Sequence, residues 1–226
     1  MSSYFKSLKY LGTDVLSPAF QDLFRSLPDS LFLGTGIISL ITQNFPLGIL
    51  TLAMAEAGLL QRLLGGLVGA VQPNEKVPTG DLCIPGIPSP YQLTVIGTLM
   101  TQTSFPSGPI FFISAVFTYI IASTLNFQEE LKELGTRESE WNARIPLSMT
   151  FSLLFLVIFI VWRYMNSCDD ILTILGSLIF GIVGGFLIYM VHVYLFGRDS
   201  INFLGIPLLA DKTATGRPLY VCSKQE

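Results

Sequence analysis

The sequence predicts an all-α fold, a multi-spanning transmembrane helical bundle of four to six spans with interfacial amphipathic helices. Half of the 226 residues are hydrophobic, 13% are charged and the mean hydropathy is +0.58, a composition typical of integral membrane proteins. Several apolar runs approach or exceed the roughly 20 residues that a helix needs to cross a bilayer. Proline-rich or charged connections separate these runs, as expected for loops between spans.

The pattern divides the chain into three parts. Residues 1–30 mix aromatic and charged side chains and are predicted to form an amphipathic N-terminal segment on the membrane surface, with a loose polar leader as the alternative. Residues 31–196 are predicted to hold the transmembrane bundle, including a proline-rich loop at 72–103. Residues 197–226 are predicted to form a polar C-terminal tail.

The first apolar region runs from Leu31 to Val71 and is interrupted at 43–46, where the sequence reads Gln-Asn-Phe-Pro. Its length leaves open two spans or one span with a re-entrant piece. Glu56 and Arg62 lie in its second half, and their spacing of six residues does not place them on one helix face. Charges inside a membrane indicate functional positions by default. Snorkelling near the ends of short helices is the ordinary alternative.

Three further apolar runs follow, at Ile110–Leu125, Pro146–Tyr164 and Ile171–Phe196. The turn between the last two is short, so these runs are expected to form an antiparallel hairpin. Small residues four apart permit close contact between helices. Two glycine pairs have this spacing, Gly65 with Gly69 and Gly181 with Gly185.

Basic residues indicate the orientation in the membrane. The loop at 127–145, which begins with an amphipathic pattern typical of an interfacial helix, is predicted to share a face with the tail at 197–226. These two segments hold more Lys and Arg than the opposite face. The positive-inside rule therefore places the C-terminus in the cytoplasm.

The three cysteines predict no metal site, because their spacing matches no metal-binding motif. Cys83 and Cys168 are predicted on the lumenal or external face, where either a disulfide or two free thiols is compatible with the sequence. Cys222 is left over. No cofactor is expected, and a net charge of −3 with scattered basic residues argues against nucleic acid as a partner.

A polar turn at 104–109 opens the apolar run that begins at Ile110. Pro109 suits the first position of a helix, where its missing N–H costs nothing. Ser107 and Gly108 would then leave backbone donors at the positive end of the helix dipole. Such a junction can hold an anion.

Lys76, the triplet Pro106-Ser107-Gly108 at the head of a helix, and Arg163 follow one another in an order that resembles the phosphatidic-acid phosphatase type 2 superfamily of lipid phosphatases. The resemblance covers roughly residues 76–185. It implies that Lys76, Ser107, Gly108 and Arg163 bind an anion such as a lipid headgroup phosphate. Their ordinary alternatives are a solvated lysine, a helix-capping serine and a snorkelling arginine.

The departures from that family concern its two catalytic histidines, one of which attacks phosphorus while the other protonates the leaving alcohol. Pro109 and Asp169 stand at their positions here. His192 is the only histidine, and it follows Asp170 by about 33 Å of helix at 1.5 Å per residue. It is therefore expected to lie far from the site and to bond within the bundle. Asp169 is the candidate for a carboxylate nucleophile.

The segment Thr215–Cys222 resembles the ends of membrane proteins of large nucleocytoplasmic DNA viruses, which implies a place in a virion inner membrane. The sequence thus predicts a non-catalytic structural or assembly component whose partners are the lipid bilayer and other membrane or capsid proteins. Two alternatives stay open. They are an atypical lipid phosphate phosphatase that uses Asp169, and a lipid-headgroup-binding protein on a degenerate phosphatase scaffold.

Overall fold

The structure, a computed structural model, describes residues 17–71, 80, 82–87, 94–100, 105–128, 138–203, 210–212 and 218–219. These ranges are mostly helical. The helices are α1 (Ser17–Thr42), α2 (Phe45–Val71), α3 (Ile96–Leu99), α4 (Gly108–Asn126), α5 (Glu138–Met165) and α6 (Ile171–Phe196). A 3-10 turn follows at Arg198–Ile201, and strands β1 (Ala210–Lys212) and β2 (Pro218–Leu219) pair antiparallel in the tail.

Three helices of the described ranges are long and apolar enough to cross a membrane, at Phe45–Ala70, Gly108–Asn126 and Ile171–Phe196. The apolar part of α5, Met149–Met165, is shorter. The predicted helical fold with apolar helices of membrane-crossing length is therefore confirmed, and the apolar run predicted at Ile171–Phe196 has the bounds of α6. A total of four to six spans stays a prediction. The interfacial helix expected after Phe127 lies mostly outside the described residues.

The break expected at 43–46 separates α1 from α2. Gln43 has a φ of 51°, in the left-handed region that ends helices. Asn44 then starts α2, because its Oδ1 accepts a hydrogen bond of 3.2 Å from the backbone N–H of Leu47. By contrast, α1 continues from Ser17 past residue 30 to Thr42, so the predicted boundary between 30 and 31 falls inside a helix.

Helix α4 occupies the centre of the bundle, with 67% of its span buried against 39% for α2 and 33% for α6. It runs parallel to α6, because their contacts keep one offset along the chain. Ser107 meets Ser177, Phe111 meets Gly181 and Ala115 meets Gly185, each pair 70 residues apart. The returning helix α5 makes this parallel arrangement possible.

The contact between α4 and α6 requires glycine. A Cβ on Gly185 would overlap the carbonyl oxygen of Ala115, and one on Gly181 would stand 2.6 Å from the carbonyl oxygen of Phe111. Close contact at this predicted glycine pair is confirmed. In the other pair, a Cβ on Gly69 would meet nothing within 4 Å.

Aromatic rings attach α1 to α5. The ring centroid of Phe24 lies 5.5 Å from that of Trp162 and 6.2 Å from that of Phe159. Phe24 and Phe159 are both buried. Burial of large aromatic surfaces contributes strongly to packing, so the first half of α1 is part of the bundle.

Candidate functional site

A disulfide joins Cys83 to Cys168 at the end of the bundle where α5 turns into α6. The sequence left a disulfide and two free thiols open for these residues, and the structure brings them together. Both cysteines are buried. The bond ties the segment 82–87 to the turn at 166–170.

Arg163 and Asp169 form a buried ion pair beside this disulfide. The Nε–H of Arg163 donates to Oδ2 of Asp169, and Nη1 donates to the carbonyl oxygen of Cys83 at 3.2 Å. The two side chains are only 4% and 1% exposed. Arg163 is therefore neutralised by a carboxylate of the same chain, where the resemblance implied an external phosphate.

The turn between α5 and α6 makes this pair possible. The backbone N–H of Cys168 donates to the carbonyl oxygen of Arg163 at 3.0 Å, and Ser167 adopts a φ of 55°. The turn thus folds back on the last helical turn of α5. A capping residue, Asp170, then starts α6 by accepting a hydrogen bond of 3.3 Å from the N–H of Thr173.

Asp170 is exposed, in contrast to Asp169. Hydrogen bonds from the Thr173 side chain, and then from backbone N–H groups, hold the pKa of Asp170 below its ordinary value of 3.8. The described contacts of Asp170 are those of a helix cap.

Ser107 and Gly108 open α4 as predicted, but the chain itself covers the junction. The backbone N–H of Ser107 donates to Oγ of Ser177 at 2.7 Å. The Ser107 hydroxyl is buried and has no hydrogen-bond partner among the described residues. Gln61 donates to the carbonyl oxygen of Pro106 at 3.0 Å, and Met100 packs beside Gly108.

Of the residues predicted to bind an anion, the structure describes Ser107, Gly108 and Arg163. Lys76 lies outside the described residues. In the part of the chain that the structure describes, no hydrogen bond joins Ser107 to Arg163, since the Ser107 amide pairs with Ser177 and its hydroxyl has no partner. Each of the placed members contacts groups of the protein instead.

Sequence reasoning missed Asp29, which holds the loop that precedes α4. Its Oδ1 accepts hydrogen bonds from the N–H groups of Val95 at 2.7 Å and Ile96 at 2.8 Å. The carboxyl group is fully buried. One turn earlier, Arg25 donates to the carbonyl oxygen of Ile84 at 3.2 Å. The only signal was the spacing of four between the two charges, which puts them on one helix face.

A second polar cluster joins the three candidate spans. Nε2 of His192 lies 2.9 Å from Oε2 of Glu56, and Nδ1 of His192 lies 3.0 Å from the hydroxyl of Tyr119. His192 is fully buried, and the Glu56 side chain is 37% exposed. The expectation that His192 bonds within the bundle is confirmed. Tyr119 was not singled out, although it is a hydrogen-bonding side chain inside an apolar run.

No family model, no curated protein and no solved structure matches this chain. The resemblance to lipid phosphatases accordingly remains a prediction based on the motifs. Within the described ranges, no group of three or more His, Cys, Asp or Glu side chains is arranged to hold a metal ion.

The two clusters are chemically separate. His192 follows Ile171 by about 31 Å of helix at 1.5 Å per residue, whereas Asp169 stands just before that helix. No imidazole is therefore available to Asp169, because the chain has a single histidine. An attack on phosphorus would also require Asp169 to leave its ion pair with Arg163.

Proposed function

We propose that this protein is a non-catalytic integral membrane protein that serves as a structural or assembly component of its membrane. The observation that carries the proposal is the buried pair of Arg163 with Asp169. This one internal contact occupies both Arg163, the predicted anion-binding arginine, and Asp169, the predicted nucleophile candidate. Breaking such a buried pair leaves an uncompensated charge, which is strongly unfavourable.

The arrangement in the membrane forms part of the proposal. We place four to six spans in the bundle, with α1 and α5 as the candidates beyond the three apolar helices. The C-terminus lies in the cytoplasm. The Cys83–Cys168 disulfide then lies on the other face, which agrees with the oxidising compartments in which disulfides persist.

We further propose a virion inner membrane as the site of assembly, with capsid proteins as contacts of the tail at 197–226. The support is the resemblance of Thr215–Cys222 to the ends of viral membrane proteins. Proximity labelling from a tag at the C-terminus, in infected cells and in purified virions, tests this. Labelling of host membrane proteins alone would contradict it.

Phosphate release from phosphatidic acid tests the absence of catalysis. The full chain is reconstituted in phosphatidylcholine vesicles that contain phosphatidic acid, alongside a known lipid phosphatase as a positive control. We expect release equal to that of protein-free vesicles. Turnover by the wild-type protein that Asp169→Asn abolishes would overturn the proposal and favour the atypical phosphatase.

A further inference from the structure

The outer face of α2 carries a carboxylate in the middle of a candidate span. Glu56 stands about 16 Å from Phe45 and about 21 Å from Ala70 along the helix, at 1.5 Å per residue. Leu52, Leu59 and Leu63 lie on the same side of the helix as Glu56, because residues three, four or seven apart share a helix face. All three leucines are exposed. We refer to these four residues as the Glu56 face.

Among the described residues, only one oxygen of the Glu56 carboxylate has a hydrogen-bond partner. Nε2 of His192 lies 2.9 Å from Oε2 of Glu56, and no described residue forms a hydrogen bond with Oε1. A carboxylate has about four acceptor sites on its two oxygens. Because 37% of the side chain is exposed, the free acceptor sites face whatever surrounds the bundle at that depth.

Hydrocarbon is a poor environment for those acceptor sites. Ionisable side chains inside membranes face the bundle interior, a water-filled cavity or a partner group. Glu56 instead lies among exposed leucines on a peripheral helix. A basic side chain would match it best, because a charge-assisted hydrogen bond is stronger than a neutral one.

A second copy of this chain does not supply that side chain. Two copies with the same orientation, related by an axis along the membrane normal, would place Glu56 against Glu56 at equal depth. Two carboxyl groups would then meet, and neither supplies a basic donor. Arg62 lies about 9 Å further along the helix, and its Nη1 already donates to the carbonyl oxygen of Thr98 at 3.4 Å.

We propose that the Glu56 face binds a transmembrane helix of another protein, and that this helix carries a lysine or arginine at mid-bilayer depth. The inference rests on the proposed assembly function and names the chemistry of its partner. His192 orients the carboxylate from inside the bundle, and the leucines supply the apolar contact on both sides of it.

Binding of defined peptides tests this. The fluorescently labelled full chain is reconstituted in phosphatidylcholine vesicles with transmembrane Leu-Ala peptides that carry either one central lysine or a central leucine. Energy transfer reports association. We expect the lysine peptide to bind at least tenfold more tightly than the leucine peptide. Glu56→Gln, which keeps an acceptor for His192, should remove this preference, as should Glu56→Leu.

Leu187→Ala on the exposed face of α6 is the matched control and should keep the preference. Equal binding of the two peptides to the wild-type chain would overturn the inference, as would a preference that survives both Glu56 variants. Self-association of the chain that excludes the lysine peptide would also overturn it. The phosphate-release result is independent of these outcomes, so failure here and failure of the proposed function are distinguishable.

Discussion

Two polar clusters of this bundle, Arg163 with Asp169 and His192 with Glu56, differ in how far their side chains are buried. Arg163 and Asp169 are both sealed, with side chains 4% and 1% exposed, beside a disulfide. In the other cluster, His192 is fully buried while Glu56 is 37% exposed. One cluster is thus closed on all sides, and the other reaches the surface of the bundle through one residue.

The difference indicates two roles. A buried, fully paired charge is expensive to disturb, so the Arg163 cluster is suited to holding the segment 82–87 against the turn between α5 and α6. A carboxylate that is 37% exposed and meets a single described partner, His192, is suited to contact with another molecule. Four predictions separate the clusters further.

Asp169→Ala is expected to have the largest effect, because it leaves Arg163 buried without its counter-charge. Loss of one partner of a buried ion pair lowers the free energy of unfolding by about 3–5 kcal/mol. Denaturant titration in one detergent, followed by tryptophan fluorescence, measures it. The double variant Arg163→Leu/Asp169→Leu should lose less than the sum of the single changes. A cost below about 1 kcal/mol, the range of surface pairs, would contradict the sealed cluster.

Removal of the disulfide should come second. Cys83→Ser combined with Cys168→Ser opens a link between residues 85 apart in the chain, and such a loss costs about 2–4 kcal/mol. The same titration measures the difference, and mapping the cysteines that react with a thiol reagent under non-reducing conditions identifies the bonded pair. Cys222→Ser is the control: it should leave the free energy of unfolding unchanged and remove the one thiol that the disulfide leaves free. Two reactive thiols at Cys83 and Cys168 in the native protein would contradict the structure.

Tyr119→Phe should have a smaller effect, on the cluster of Tyr119, His192 and Glu56. It removes the hydroxyl that lies 3.0 Å from Nδ1 of His192 and leaves a buried ring nitrogen without a partner, which costs about 1–3 kcal/mol. The nitrogen NMR signal of the single histidine should also move. Tyr194→Phe, at an exposed position of α6, provides the comparison. An unchanged histidine signal would show that the hydrogen bond is absent.

Asp170→Asn should have the smallest effect, confined to acid pH. The pKa of Asp170 is lowered in the folded protein, so its ionised form contributes stability above the unfolded pKa of about 3.9. This contribution disappears as pH falls through the lower folded value. Asparagine caps helices about as well, so the variant should match the wild type at pH 7. It should lose less stability than the wild type between pH 5 and pH 2. Identical acid profiles would refute this role.

Local features of the chain were predictable because neighbouring residues decide them. The break at 43–46 follows from a polar interruption, and the bounds of α6 follow from an uninterrupted apolar run. The contact at Gly181 and Gly185 follows from small residues at helical spacing. Each of these depends on interactions within a few turns of one helix.

The pairings across the chain were not predictable in the same way. Glu56 meets His192 across 136 residues, and Asp29 reaches Ile96 across 67. No periodicity along the sequence encodes which of several buried polar groups will meet. The pairing of Arg163 with Asp169 likewise could not be read from the motif, because a motif names residue types and not their partners.

The sequence by itself determined a helical chain with apolar helices long enough to cross a membrane, with one histidine and with Cys83 and Cys168 in two separate connections. Only the tertiary structure decided that Arg163 pairs with Asp169 and that the partly exposed Glu56 pairs with the buried His192. The physical reason is that hydrophobicity acts along each helix separately. Hydrogen bonds and ion pairs inside the bundle depend on how the helices are arranged side by side.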